Sequence, residues 1–381
     1  MISWTKLLTD YVQDNDSLRY ADNPTCIPKI VVWNTTSHCN LGCQHCYFEA
    51  TEKQDPLELT KDEAKDFIED LGKFKVPVLL FSGGEPLLRQ DLFELGKFAK
   101  DRGIKTVLST NGTLITKKIA EEIKEAGFSY VGISLDGMQE INDWFRCSEG
   151  AFSKTLRGIR NCLDVGLKVG LRFTITRDNL KDLPHIFDLV EKESIQRLCL
   201  YHLVYIGRGN SLKERDTTLQ EKREMLEFIW GKTLDFYRKR IRSEILTVDN
   251  HADGVWIYLQ FKKSDPKRSK TVLEFLKIQG GNTSGVNIGA VDNRGNIFAD
   301  QFWRRHSMGN IRTDRFSEVW RSGKNDFLQD LRNRSMLLRG RCKMCRYLEI
   351  CNGNFRARAE AVSGDIWAED PACFLTDEEI T

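Results

Sequence analysis

From residue 30 to residue 206, short apolar runs alternate with amphipathic stretches, and this alternation limits the fold more than any other feature. Strand-like runs fall at 30–34, 76–81, 105–109, 129–135, 167–175 and 197–205. Helical patterns at 60–74, 91–102, 116–126, 153–165 and 182–192 separate them. Thr60, with Glu63 three residues on, reads as a capping box at the start of the first helix. Strands separated by helices cannot close as hairpins; they pair in parallel through crossovers. The expected fold is therefore α/β, a parallel sheet of six strands with helices outside, forming a partial (β/α)6 TIM-like barrel. In such barrels functional groups collect at the carboxyl ends of the strands.

Each polar motif of this half falls at such an end. The first strand runs into Cys39-Asn-Leu-Gly-Cys43-Gln-His-Cys46-Tyr47. Three thiolates on one loop can hold three irons of a [4Fe–4S] cube and leave the fourth iron without a protein ligand. Zinc or buried free thiols are the alternatives. Zinc usually recruits four ligands, and here only His38 or His45 lies near enough in sequence to be the fourth. Gly83-Gly84-Glu85-Pro86 closes the second strand. Its glycines let the backbone approach a ligand closely, and Glu85 suits an ammonium group. Ser109 to Thr113 and Ser134 to Gly137 close the next two strands, with Asn111 and Asp136 suited to a ribose. Any one of these segments alone reads as an ordinary turn. As a set after the cysteine loop they read as a cofactor site.

These four motifs, in this order, resemble the signature of the radical S-adenosylmethionine (SAM) enzymes. The resemblance implies that the open iron chelates the amino and carboxylate groups of SAM. It assigns SAM contacts to Tyr47, Gly83, Gly84, Glu85, Pro86, Asn111, Ser134 and Asp136. It also implies reductive cleavage of SAM to methionine and a 5′-deoxyadenosyl radical that takes a substrate hydrogen, in an oxygen-sensitive protein.

The chain has 381 residues and a formal net charge of +2, so nothing in its balance demands nucleic acid or a membrane. No run of eighteen apolar residues occurs, and the opening Met1-Ile2-Ser3-Trp4 lacks a secretory pattern, so a cytoplasmic protein is expected. Eleven cysteines in a reducing compartment argue for metal rather than disulfides. Cys26, Cys147, Cys162 and Cys199 stand alone and read as small buried hydrophobes. The expected division is an N-terminal segment (1–29), the barrel (30–210), a helical bridge or insertion (211–285) carrying one long helix at 219–241, and a C-terminal cysteine-rich extension (286–381). That extension opens on a hairpin pattern, 286–292 and 296–299 about the turn Asn293-Arg294-Gly295.

Cys342, Cys345, Cys351 and Cys373 form a second group. Four thiolates close a site for either zinc or a cluster, and the residues alone leave both open. The group resembles the SPASM extension of radical SAM enzymes, which implies an auxiliary [4Fe–4S] cluster. Ligands for a further cluster are missing, since Phe355 and Asp300 stand near the places the full pattern fills with cysteine. Two clusters in all are expected.

The segments 201–210, 300–310 and 367–373 resemble the tetrapyrrole-modifying branch of that family. Within the branch the similarity is to members that remove two acetate side chains from 12,18-didecarboxysiroheme, giving iron-coproporphyrin III. Two sibling activities stay open, propionate removal toward heme d1 and decarboxylation of iron-coproporphyrin III to heme. A peptide-modifying enzyme and a non-catalytic electron carrier are the readings of other classes. The implied partners are an iron tetrapyrrole and a reductant such as ferredoxin or flavodoxin. A flat apolar disc rimmed with carboxylates needs aromatic faces and arginines. Phe302, Trp303, Arg304 and Arg305 offer both, and Arg172, Arg208, Arg356 and Arg358 are further candidates. His202 or His306 suits the substrate iron. The plainer alternatives are surface charges for the arginines and hydrogen-bonded core residues for the histidines.

Overall fold

The computed structural model describes residues 1–9 and 27–381. The expected alternation is present. Strands β2 (Ile30–Asn34), β3 (Val78–Ser82), β4 (Lys105–Thr110), β5 (Tyr130–Ser134), β6 (Val169–Ile175) and β7 (Arg197–His202) lie side by side in chain order, all parallel. Helices Lys61–Phe74, Leu92–Asp101, Lys117–Glu125, Ala151–Asp164 and Leu183–Lys192 link them. The first begins on the expected box, with the Thr60 and Glu63 side chains each bonded to the other's backbone N–H. It buries Ala64, Phe67, Ile68, Leu71 and Phe74, one face at helical spacing, against the sheet.

The sheet extends further than six strands. β8 (Glu244–Val248) pairs in parallel with β7, and β1 (Ile2–Ser3) caps it in antiparallel fashion. β8 lies inside the stretch read from sequence as a helical bridge. Its flanks are helical as expected, with Leu219–Arg238 before it and Ala252–Ser264 and Pro266–Gln279 after it. All five β8 residues are buried, so the strand lacks the alternation that marks a half-exposed one. At the other edge the hairpin is present as β9 (Ile288–Val291) and β10 (Asn296–Phe298), turned at Gly295, with β11 (Gly309–Asn310) beyond. β9 also pairs in parallel with β2, which makes the C-terminal extension continuous with the sheet. The described strands form one open sheet with β1 and β11 at its edges, a partial barrel rather than a closed one.

No disulfide occurs among the described cysteines. Cys162 and Cys199 are buried as expected, but Cys147 is exposed. It ends the helix Gln139–Arg146 with a left-handed backbone, which turns its side chain outward. Cys26 lies outside the described residues. No described helix is long and apolar enough to cross a membrane.

Candidate active site

The cysteine loop leaves β2 and turns back under a set of long-range clasps. Cys39 N–H donates to the Thr51 carbonyl (2.7 Å), and Gln44 N–H donates to the Phe145 carbonyl (2.9 Å). Glu58 accepts from Thr36 Oγ1 and from Ser37 N–H, both at 2.7 Å. Cys39 and Cys43 are buried and Cys46 is half-buried. Burial pushes the Cys39 thiol up to about 12, partly offset by the Leu41 N–H that donates to it. Cys43 is also pushed up by burial, against the pull of Arg146, whose Nη1 lies 3.5 Å from Cys43 Sγ. Among the described residues no three His, Cys, Asp or Glu side chains converge as a single metal ion requires. In a cube each thiolate meets its own iron, so three thiolates on one loop can hold three irons and leave the fourth open.

The Gly83-Gly84 pair makes room for this loop. A Cβ at residue 83 would lie 2.5 Å from the Thr36 carbonyl oxygen, and one at residue 84 would lie 2.3 Å from that of His38. Gly84 N–H and Glu85 N–H donate to those same oxygens, at 2.7 and 2.8 Å. The close approach read from the glycines is thus to the chain's own backbone. Glu85, read as an ammonium acceptor, already has donors within the protein. It is wholly buried and accepts from Thr110 Oγ1 (2.7 Å), Asn111 N–H (2.8 Å) and Leu87 N–H (3.1 Å). Burial pushes its carboxyl up to about 7. It braces the end of β3 against the end of β4, and Pro86 opens the short turn Pro86–Leu88 behind it.

Asn111 bonds to the cysteine loop itself, through its Nδ2 to Asn40 Oδ1 (2.9 Å). Asp136, read as a ribose contact, is committed within the protein. Its carboxylate takes a hydrogen bond from Thr174 N–H (2.6 Å), pairs with Arg146, and lies 3.3 Å from His45 Nε2. Ser134 is half-buried at the end of β5. The Tyr47 hydroxyl donates to Asn34 Oδ1 (2.8 Å), and its ring meets Phe302 edge-on at 5.1 Å. Cysteine loop, β3, β4 and β5 ends therefore meet in one place, as the barrel rule requires.

Cys342, Cys345, Cys351 and Cys373 also come together. They line one small cavity with Leu348, Leu375 and Ile380. Tyr347 N–H lies 3.4 Å from Cys345 Sγ and can donate to it. Asn352, Gly353 and Asn354 all have left-handed backbones, which curls the chain tightly after Cys351. Asp300 is buried elsewhere, accepting from Ser284 Oγ and from Phe302 N–H (2.8 Å).

Residues 33–190 match the radical SAM superfamily model. Over its whole length the chain is 47% identical to Fe-coproporphyrin III synthase of Methanosarcina barkeri, covering 99% of that protein. It is 42% identical to pre-heme d1 synthase of Dinoroseobacter shibae, over 92% of this chain and 87% of that one. It is 32% identical to AdoMet-dependent heme synthase of M. barkeri, over 92% and 97%. The chain belongs to the radical SAM superfamily. Two solved structures share its fold. One is Streptococcus suis SuiB bound to S-adenosylmethionine, with TM-score 0.71 and 18% identity over 92% of this chain and 78% of that one. The other is anSMEcpe with bound AdoMet, with TM-score 0.70 and 19% identity over 90% and 93%.

In this radical SAM enzyme most of the candidate substrate arginines are occupied. Arg208 clasps the cysteine loop, its Nε donating to the Cys43 carbonyl (2.8 Å) and Nη1 to that of Ala50 (2.9 Å). Gly207 beside it has φ +58, and a Cβ there would lie 2.5 Å from the Tyr47 carbonyl oxygen. Arg356 donates to the carbonyls of Gly353, Ile366 and Ala368, and Arg358 pairs with Asp370. Arg304 is exposed but docks on the loop, donating to the Phe48 carbonyl with its guanidinium 4.5 Å from the Phe48 ring. Arg305 is exposed. Trp303 is buried against Phe327, so it offers no open face for a disc. Both histidines have carboxylate partners, His202 with Asp253 (2.8 Å) and His306 with Glu360 (2.7 Å). Their Nε2 atoms are engaged within the protein, which removes that nitrogen as a free ligand for substrate iron.

Sequence reasoning missed Arg146 and Asn40. Arg146 stands 103 residues from Cys43, and nothing local in its helix marks it. Asn40 lies inside the cysteine spacing at a position the motif leaves variable.

Proposed function

We propose that this enzyme removes two acetate side chains from 12,18-didecarboxysiroheme to give iron-coproporphyrin III. The observation that carries this reading is the 47% identity with an Fe-coproporphyrin III synthase along the whole chain, against 42% and 32% for the pre-heme d1 and heme synthases. When bound, the cluster and SAM supply a carbon radical able to take hydrogen from an unactivated methylene such as that of an acetate. Cys39, Cys43 and Cys46 would hold the cluster. The protein's own part is to brace that loop through Arg208, Gly207 and the Gly83-Gly84 contact, and to place Arg146 beside Cys43. The ends of β3, β4 and β5 close around the same place.

The second cysteine group holds an auxiliary [4Fe–4S] cluster in this reading, supported by the four cysteines lining one cavity. A low-potential carrier such as ferredoxin or flavodoxin supplies electrons in the cytoplasm, under anaerobic conditions. The units 30–210, 211–285 and 286–381 act as barrel, bridge and SPASM-like extension, with 1–29 before them. The similarity to pre-heme d1 synthase favours propionate removal as the second reading.

Anaerobic incubation with didecarboxysiroheme, SAM and a reductant should yield a product with the mass of iron-coproporphyrin III. Conversion of iron-coproporphyrin III to heme, with didecarboxysiroheme untouched, would overturn the assignment. Fully reconstituted enzyme should carry about eight irons per chain, four per cluster. Replacing Cys342 and Cys345 by serine should bring this to about four. Stoichiometric zinc at the second group would refute the two-cluster reading.

A further inference from the structure

One face of the parallel sheet keeps partly exposed polar side chains. Half-buried residues alternate with buried ones along β4 and β6, in the middle of a sheet where both faces are normally closed. Ser109, Tyr130, Ser134, Arg172, Thr174 and Tyr201 are all of this half-buried kind. Arg172 stands in β6 opposite Ser134 on one side and Cys199 on the other. Its guanidinium reaches across β5 to donate to Ser109 Oγ on β4.

Gly132 makes that reach possible. A Cβ at residue 132 would lie 2.4 Å from Arg172 Nε and 2.7 Å from Cζ, so the guanidinium rests on bare backbone. Gly170 does the same for the Tyr130 hydroxyl. Two glycines on one face of neighbouring strands therefore make room for a guanidinium and a phenol hydroxyl side by side.

Arg172 is unlike the other enclosed cations. Arg146 has Asp136, Arg197 has Glu244, Lys222 has Asp216 and Arg358 has Asp370. Arg208 and Arg356 are met by backbone carbonyls. Arg172 has one hydroxyl and neither a carboxylate nor a carbonyl; its Nε, like those of Arg146 and Arg356, is buried without a hydrogen-bond partner. The groups whose charge bears most on it are Tyr201, Tyr130, Cys199 and Tyr47, none of them a carboxylate. Burial pushes Tyr130 and Tyr47 up to about 12, so both are neutral at pH 7. A guanidinium enclosed with no anion costs free energy that an incoming carboxylate would offset. Tyr47 couples this place to the cysteine loop, since the charges of Arg172 and Arg304 both bear on it.

We propose that Arg172, lying over Gly132 with Tyr201 beside it, is the receptor for a carboxylate of the substrate on this face of the sheet. It is the substrate-anchoring arginine, and it selects which acid-bearing side chain is presented beneath the cysteine loop. This rests on the tetrapyrrole reading given above.

The test is a binding titration followed by absorption, on cluster-loaded enzyme under anaerobic conditions. The probes are 12,18-didecarboxysiroheme and its fully methyl-esterified form. Arg172→Gln should weaken binding of the free acid by about tenfold or more, the worth of one charge-assisted bond. The ester should bind wild type and Arg172→Gln alike, because the interaction is lost in both. Gly132→Ala keeps the arginine but displaces it, and should weaken the free acid by about threefold. Iron content checks that each variant is loaded. If Arg172→Gln does not load, Gly132→Ala and the loss on esterification in wild type decide the matter. Equal losses for acid and ester, or no loss for the acid, would overturn the role of Arg172 and leave the tetrapyrrole reading standing. Failure of wild type to bind didecarboxysiroheme at all would overturn both.

Discussion

Simultaneous replacement of Cys39, Cys43 and Cys46 by alanine should abolish formation of 5′-deoxyadenosine from SAM under reducing conditions. The three sulfurs lie on one loop, with Cys147 near it at Gly42. The loop itself should keep its path, because it is held by backbone and arginine bonds that do not involve the sulfurs. Cys39 N–H to Thr51, Gly84 N–H to Thr36 and Arg208 to the Cys43 and Ala50 carbonyls all survive the change. On the proposed two-cluster reading about four irons should remain, since the second cysteine group lies in a different part of the chain. Chromatography of the nucleoside and iron analysis of the same sample check both statements. Undiminished 5′-deoxyadenosine in the triple variant would remove the cysteine loop from the chemistry.

The second large effect concerns the junction between sheet and extension. Arg358 and Asp370 are both wholly buried and pair at 2.8 Å through two nitrogens. Arg358 also donates to the carbonyls of Leu203 and Asp249, beyond the ends of β7 and β8. Asp370 accepts from Phe355 N–H and Ala372 N–H, each at 2.9 Å, next to Cys373. One ion pair thus ties a cysteine of the second group to the mouth of the sheet. Arg358→Met should destabilise the fold by about 3–5 kcal/mol, since it strands a buried carboxylate. The double variant Arg358→Met with Asp370→Leu should recover part of that loss, because no charge is then left unpaired. Thermal melts of the three proteins test this. A single variant as stable as wild type would show that the pair is not what holds the extension.

Much of this molecule is legible without coordinates, because much of it is encoded locally. A strand or helix announces itself by the period of its apolar residues. The elements from β2 to β7 fall where the alternation puts them, and the Thr60–Glu63 box starts its helix. Cysteine spacing is local in the same sense: Cys39, Cys43 and Cys46 share one loop, and Cys342, Cys345, Cys351 and Cys373 line one cavity. β8 escaped detection because all its residues are buried, and a short apolar run between helices has no period to read.

The roles of the charged residues are decided by tertiary structure alone. In the sequence Glu85, Asp136, Arg208, Arg356 and Arg172 are simply acids and bases near motifs. Whether each faces a ligand or a neighbour depends on which strand ends meet, and those pairings span tens to hundreds of residues. Folding committed Glu85 to Thr110 and Asn111, Asp136 to Arg146, and Arg208 to the cysteine loop. It left Arg172 over Gly132 with a single hydroxyl for company. Spacing and period alone encode the parallel α/β frame, the grouping of the cysteines and the positions of the strand ends. Only the tertiary structure decided which charges are consumed in holding that frame and which remains for a substrate, since burial and pairing are properties of contacts between distant parts of the chain.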